Sequence, residues 1–164
     1  MLYVVMLGGR HPKAKIEVHD VVFAVADEFE GTFEQLRQQW FGSPKGLHID
    51  SWLTVDGIDN YQVRLGDQAP GEDDLRLFFL NLGGYEDGSF GEAHQYLLVV
   101  AKDKAEAKQI GKTRIASHWD KPHTDALLDV DDCIPIDCID GRYVQLHQGP
   151  HNGTLQQSDY IILS

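Results

Sequence analysis

Residues 2–26 read LYVVMLGGRHPKAKIEVHDVVFAVA, and residues 77–101 read LFFLNLGGYEDGSFGEAHQYLLVVA. Leu7-Gly8-Gly9 returns as Leu82-Gly83-Gly84, Glu17-x-His19 as Glu92-x-His94, and Val25-Ala26 as Val100-Ala101. Continued at the same spacing of 75 residues, Leu2–Asp56 aligns with Leu77–Asp131 without a gap, and His48-x-Asp50 falls on His123-x-Asp125. Of these 55 pairs 13 are identical, roughly four times the chance level for ordinary globular composition. An internal repeat this plain sets the expected architecture before local propensity is weighed: two like-folded halves.

Each half reads as ββαββ. Leu2–Leu7 is a short apolar run closed by Gly8-Gly9, a buried strand and its breaker. Residues 18–26 are apolar on both faces through Val21-Val22-Phe23-Ala24-Val25, as a covered central strand would be. Phe29, Phe33, Leu36 and Trp40 recur at i, i+4, i+7 and i+11, one stripe of a helix that Thr32 would cap and Gly42-Ser43-Pro44 would stop. A third strand spans 48–55, and Asp56-Gly57 turns it into a fourth over 61–65. The second half repeats the order, with strands over 77–82, 94–101, 124–130 and 143–146, a helix over 103–116, and six extra residues around Ile134–Ile139.

The expected division is a first repeat at 1–66, a linker at 67–75, a second repeat at 76–147 and a tail at 148–164. The terminal run Tyr160-Ile161-Ile162-Leu163 is expected to pair at a sheet edge that would otherwise stay open. The fold class is α+β: two tandem ββαββ repeats related by a pseudo-twofold axis, mostly antiparallel sheets with helices packed on them. One shared core is expected, because about 75 residues alone bury too little apolar surface.

The apolar fraction of 42%, with seven Phe, six Tyr and three Trp, belongs to a packed protein. The formal charge is −12, with 13 acids against 6 bases in residues 1–74 and 13 against 8 in the remainder. Nucleic-acid binding needs Lys and Arg to neutralise phosphates, and adsorption to an anionic membrane needs the same, so neither partner is expected. No apolar run approaches a membrane span. Two cysteines, Cys133 and Cys138, make no secreted disulfide framework and cannot alone complete a zinc site. A cytoplasmic protein is expected.

Four histidines fall in repeat-matched pairs with acids: Glu17 and His19, His48 and Asp50, Glu92 and His94, His123 and Asp125. Residues two apart on a strand share a face, and Asp is depleted in strands, so this placement asks for a reason. Three readings stand. The pairs are structural, each carboxylate orienting an imidazole because an unpaired buried polar group costs about 1–3 kcal/mol. They line a polar ligand pocket. Or His19, His48 and Asp50 hold a divalent metal such as Zn, Mn or Fe(II). The spacing favours the structural reading, since E-x-H and H-x-D are short, common pairs. Gly8, Gly9, Arg10 and Lys13 form a basic Gly-rich loop that suits an anion, although no phosphate-loop pattern is present.

The blocks Leu-Gly-Gly, Ile16-Glu17-Val18-His19-Asp20-Val21-Val22-Phe23 and His48-Ile49-Asp50-Ser51-Trp52 resemble a small bacterial family known as domain of unknown function 1543. The family occurs in one or two copies per chain, and this sequence resembles the two-copy form over nearly its whole length. The second copy departs from the pattern: Gln95 replaces the acid after the histidine, and Leu127 stands where Trp52 does. The resemblance implies no activity, cofactor or catalytic residue. It implies that single-copy relatives dimerise and that this chain is a fused pair, a monomeric pseudo-dimer or a homodimer of such chains.

The leading functional expectation is a non-catalytic binding or interaction module with a polar His/carboxylate pocket for a small ligand. The alternative is an enzyme using the same groups with a divalent metal or as general acid and base. A purely structural assembly unit is the third class.

Overall fold

The computed structural model describes residues 1–85, 88, 90–116 and 129–164. They form a mixed α/β chain of antiparallel sheets with two short helices. It divides into two compact units, Met1–Gln68 with Cys138–Ser164, and Ala69–Asp137.

In the first unit, β1 (Leu2–Gly9) is flanked by β2 (Val18–Val25) and β3 (His48–Val55), and β11 (Thr154–Ile162) pairs with the outer edge of β3. β1 is buried on both faces, as its unbroken apolar run requires. Its glycines do not end it: Gly8 pairs with His19 on one side and His48 on the other, and Gly9 pairs with Val18. A 3-10 turn (Phe29–Thr32) leads into α1 (Phe33–Gln39). Tyr3, Val5 and Leu7 of β1 join Leu36, Trp40, Ile49, Trp52 and Leu163 in one core, with Phe29 and Phe33 packed against it. The expected aromatic stripe is therefore the helix-side core. Thr32 precedes α1 without capping it, since its hydroxyl donates to the Phe29 carbonyl instead.

A second sheet of this unit has the order β4 (Gly57–Ile58), β5 (Tyr61–Gly66), β10 (Arg142–Gln148), β9 (Cys138–Ile139). The β5–β10 ladder joins residues 138–164 to the first unit, so the compact units cross the sequence halves. Gly57 begins β4, and the chain turns instead at Asp59-Asn60, where Asp59 has φ +57°. Asp is one of the few side chains that tolerate that region.

In the second unit, β6 (Arg76–Gly84) lies between β7 (Ala93–Ala101) and β8 (Asp129–Pro135), and α2 (Lys104–Ala116) packs on this sheet. Asp103 accepts from the Glu106 N–H at 2.8 Å while Glu106 accepts from the Lys102 N–H at 2.7 Å, a reciprocal start signal for the helix. Phe78, Leu80, Leu82, Val99, Ala107, Ile115 and Val130 form the core. The strand expected over 124–130 instead occupies 129–135. Leu7 pairs with Ile49 and Leu82 with Val130, the second pair six residues further apart in sequence. The extra residues therefore precede β8 and do not lie around Ile134–Ile139. No helix among the described residues is long and apolar enough to cross a membrane.

Candidate functional site

Within the first unit the ladder brings four sequence candidates to one end of the sheet. His19 and His48 stand on either side of Gly8, directly opposite it in the two ladders, so all three positions share a face. Asp50 arrives there through a β-bulge. Met6 pairs with Ser51 and Leu7 with Ile49, leaving Asp50 as the extra residue. A bulge re-aims one side chain and reverses the alternation beyond it. For that reason Trp52 does not sit beside the histidines. It turns to the helix side, where its ring stacks on Phe29 at 4.1 Å.

The side chains close a ring of alternating imidazoles and carboxylates. His19 Nε2 lies 3.4 Å from Glu17 Oε1 and 3.3 Å from Asp50 Oδ2. His48 Nε2 lies 3.6 Å from the same Glu17 oxygen and 3.4 Å from Asp50 Oδ1. His19 and Glu17 are about half exposed, whereas His48 is 2% exposed. His48 Nδ1 is 2.9 Å from the Gly46 carbonyl oxygen. A carbonyl only accepts, so Nδ1 carries a proton, and Nε2 is the nitrogen that faces the carboxylates. Tyr160 of β11 lies over the His48 ring, centroids 4.4 Å apart.

Gly8 makes the ring sterically feasible. A Cβ there would collide with His48 Nε2 and stand 2.9 Å from Asp50 Oδ2. Gly9 has a different cause: its Cβ would stand 2.8 Å from the Trp40 ring. Both glycines lie inside the ladder and not in an open loop. Beyond them the Arg10 carbonyl accepts from the Ser43 N–H, and Lys13 N–H donates to His11 Nδ1.

The second unit holds a related cluster. Ligand atoms of Glu92, His94 and Asp131 all lie within 4.8 Å of one another. Asp131 is again the extra residue of a bulge, between Asn81↔Asp132 and Leu82↔Val130. Gly83 again supplies the space, since a Cβ would collide with Asp131 and stand 2.7 Å from Glu92 Cδ. Asn81 Nδ2 donates to Asp132 at 3.0 Å, which turns its oxygen toward His94 Nδ1, also at 3.0 Å. His94 Nε2 is 3.8 Å from Glu92 and its Nδ1 3.6 Å from Asp131. His123 and Asp125, expected here, lie outside the described residues, as do Glu86 and Asp87 of the acidic loop. Sequence reasoning did not single out Asp131, Asn81 or Tyr160 as site residues; a gap of six residues in the self-alignment would have matched Asp131 to Asp50.

A separate cleft of about 620 Å³ opens at the other end of β1, lined by Leu2, Val25, Asp27, Arg64, Asp140 and Arg142 among others. None of the His/carboxylate residues lines it. We place the candidate site at the Gly8 end, where the polar groups converge, because the cleft's arginines are already engaged: Arg64 with Gln62, and Arg142 with Leu65 and Asp67. Cys133 and Cys138 are both free thiols.

The family model for Domain of Unknown Function (DUF1543) matches residues 14–65, a segment that contains all four members of the first cluster. The crystal structure of a protein Il1583 from Idiomarina loihiensis superposes with a TM-score of 0.73 at 33% identity, covering 99% of this chain and 97% of that one. The chain belongs to the DUF1543 family. A comparison with proteins of curated function found no match. In this DUF1543 chain, then, any functional reading stands on the clusters' own chemistry.

Proposed function

We propose that the protein is a non-catalytic binding module whose ligand is a small cationic or proton-donating group, held by the ring of Glu17, His19, His48 and Asp50. The observation that carries this reading is the fit between Gly8 and the ring: a strand position beneath two imidazoles is left without a side chain. Glycine inside a strand weakens it, so the close approach of polar atoms is what it serves. Both carboxylates face imidazoles, so two formally negative groups converge on one spot, in a chain of formal charge −12.

The proposal extends to the second unit, whose Glu92/His94/Asp131 cluster has the same glycine and the same bulged aspartate. Tandem copies of one ββαββ element, each with its own site, account for both. A thermal-shift panel of spermidine, L-lysine, ZnCl2 and MnCl2 tests the reading. At least one should raise the melting temperature in proportion to the logarithm of its concentration. Asp50→Asn, which keeps the shape and removes the charge, should abolish the shift. A panel without effect, or one indifferent to Asp50→Asn, contradicts the reading.

The enzymatic alternative draws on His19, the half-exposed imidazole of the ring, which stands where a general base could reach a bound molecule.

A further inference from the structure

Resting on the binding reading above, we infer that the ligand of the first cluster is an aliphatic primary amine, its ammonium head bridging Glu17 and Asp50 and its alkyl body lying along Tyr160 and Ile162.

The width of the ring selects the head. Neighbouring atoms around it lie 3.3–3.6 Å apart, yet no three of Glu17, His19, His48 and Asp50 bring their ligand atoms mutually within 4.8 Å. The ring is therefore open at its centre, with the two carboxylates across it from each other and an imidazole on either side. A zinc-like ion, with bonds of about 2.0–2.2 Å, reaches about 4.4 Å across at most and cannot span it. An ammonium forms N–H···O bonds of about 2.7–2.9 Å to carboxylates, so it joins oxygens up to about 5.8 Å apart. The four contacts of the ring exceed that bond length, and each carboxylate has lone pairs left for a donor from outside. His48, 2% exposed, closes the ring from the buried side with its Nε2. The ammonium therefore enters past Glu17 and His19, which are about half exposed.

The body is selected by β11. Ile162 pairs with His48, so the two side chains share a face of the sheet. Tyr160 reaches the same place, its ring centroid 4.4 Å from that of His48. Yet Tyr160 and Ile162 are 63% and 62% exposed, which leaves two large apolar side chains uncovered beside a polar ring. Such neighbours form a patch that the methylenes of a ligand can cover, and an aromatic face attracts a cation within about 6 Å. A ligand with charge alone would leave this wall unused, and one with a chain alone would leave the carboxylates unmatched. The wall belongs to this unit: the second sheet ends at β8, and among the described residues no strand pairs beyond it. The Glu92/His94/Asp131 cluster is therefore expected to accept a charge without discriminating chain length.

Amide-detected NMR titration of the full chain with methyl-, n-butyl- and n-hexylammonium chloride tests this. Affinity at Gly8, His19 and His48 should rise by up to about fourfold for each methylene laid on the wall, and by at least about tenfold from methyl to hexyl. n-Hexyltrimethylammonium, which has no N–H to give, should bind at least about tenfold more weakly than n-hexylammonium. Tyr160→Ser and Ile162→Ser, both at exposed positions, should each cut the hexyl-to-methyl ratio while the circular dichroism spectrum stays unchanged. An affinity indifferent to chain length, equal binding of the trimethyl compound, or a ratio that survives both substitutions overturns the inference. If the amines fail while ZnCl2 or MnCl2 gives a melting shift that Asp50→Asn removes, the amine falls and the binding module stands. If neither the amines nor any panel member binds, both fall.

Discussion

His48 donates its Nδ1–H to the carbonyl oxygen of Gly46 across 2.9 Å. The pair is two residues apart, so a short piece of backbone entering β3 decides which imidazole nitrogen faces Glu17 and Asp50. Position, orientation and burial of the histidine are thereby set together.

The glycines under the two clusters should respond differently to a methyl group. At Gly8 the new Cβ meets His48, which is buried and has nowhere to go, so Gly8→Ala should cost about 1–3 kcal/mol. At Gly83 it meets the free ends of Asp131 and Glu92, exposed carboxylates that can swing away. Gly83→Ala should change stability by less than about 0.5 kcal/mol while abolishing ligand binding in the second unit. Urea denaturation of the two variants checks the contrast, and equal costs would contradict it.

Much of the first unit was legible because its strands and helix stripe carry their periodicity openly. β3 was placed at 48–55 and found at His48–Val55. The bulge was not legible. One extra residue inside a ladder leaves no mark on composition, yet it decides that Trp52 faces the core and not the histidines. In the second half an ungapped self-alignment carried the third strand six residues early, because identities at Leu128, Val130 and Asp131 rewarded the wrong register. Asp131, which occupies the position of Asp50, was hidden by that slip.

Lys112 of α2 bonds Asp129 of β8 at 2.8 Å and, with the Val130 N–H, holds the Asp129 carboxyl below its ordinary value. The sign follows directly. A depressed folded value adds stability above the ordinary carboxylate range and loses it as pH falls through the depressed value. The pair is exposed, so the effect on stability is small. The cleaner readout is the Asp129 titration by carbon NMR, whose midpoint should move up in Lys112→Met. An unmoved midpoint would contradict the assignment.

Burial raises the Cys133 thiol, against the opposing pull of Lys108 and Lys104. Its thiolate fraction at pH 8 is correspondingly reduced, and the thiolate is the reactive form. Cys138 is exposed. Iodoacetamide should therefore alkylate Cys138 well before Cys133, as followed by peptide mass spectrometry. Equal rates, or the reverse order, would contradict the burial of Cys133.

The last strand is part of the first core. Leu163 is 3% exposed, its N–H donates to Leu47 at 2.9 Å, and its carbonyl accepts from Arg37 Nε at 2.8 Å. Leu163→Ala should cost about 2–4 kcal/mol, as cavity-forming substitutions do. A cost below about 1 kcal/mol in urea denaturation would mean that β11 is only loosely seated on β3.

Thermal melting of the wild-type chain and of Asp50→Asn against rising spermidine, L-lysine, ZnCl2 and MnCl2 addresses the site most directly. A melting temperature that rises with at least one of them in the wild-type chain and stays fixed in Asp50→Asn is the expected result. No rise in the wild-type chain, or an equal rise in both, would contradict it.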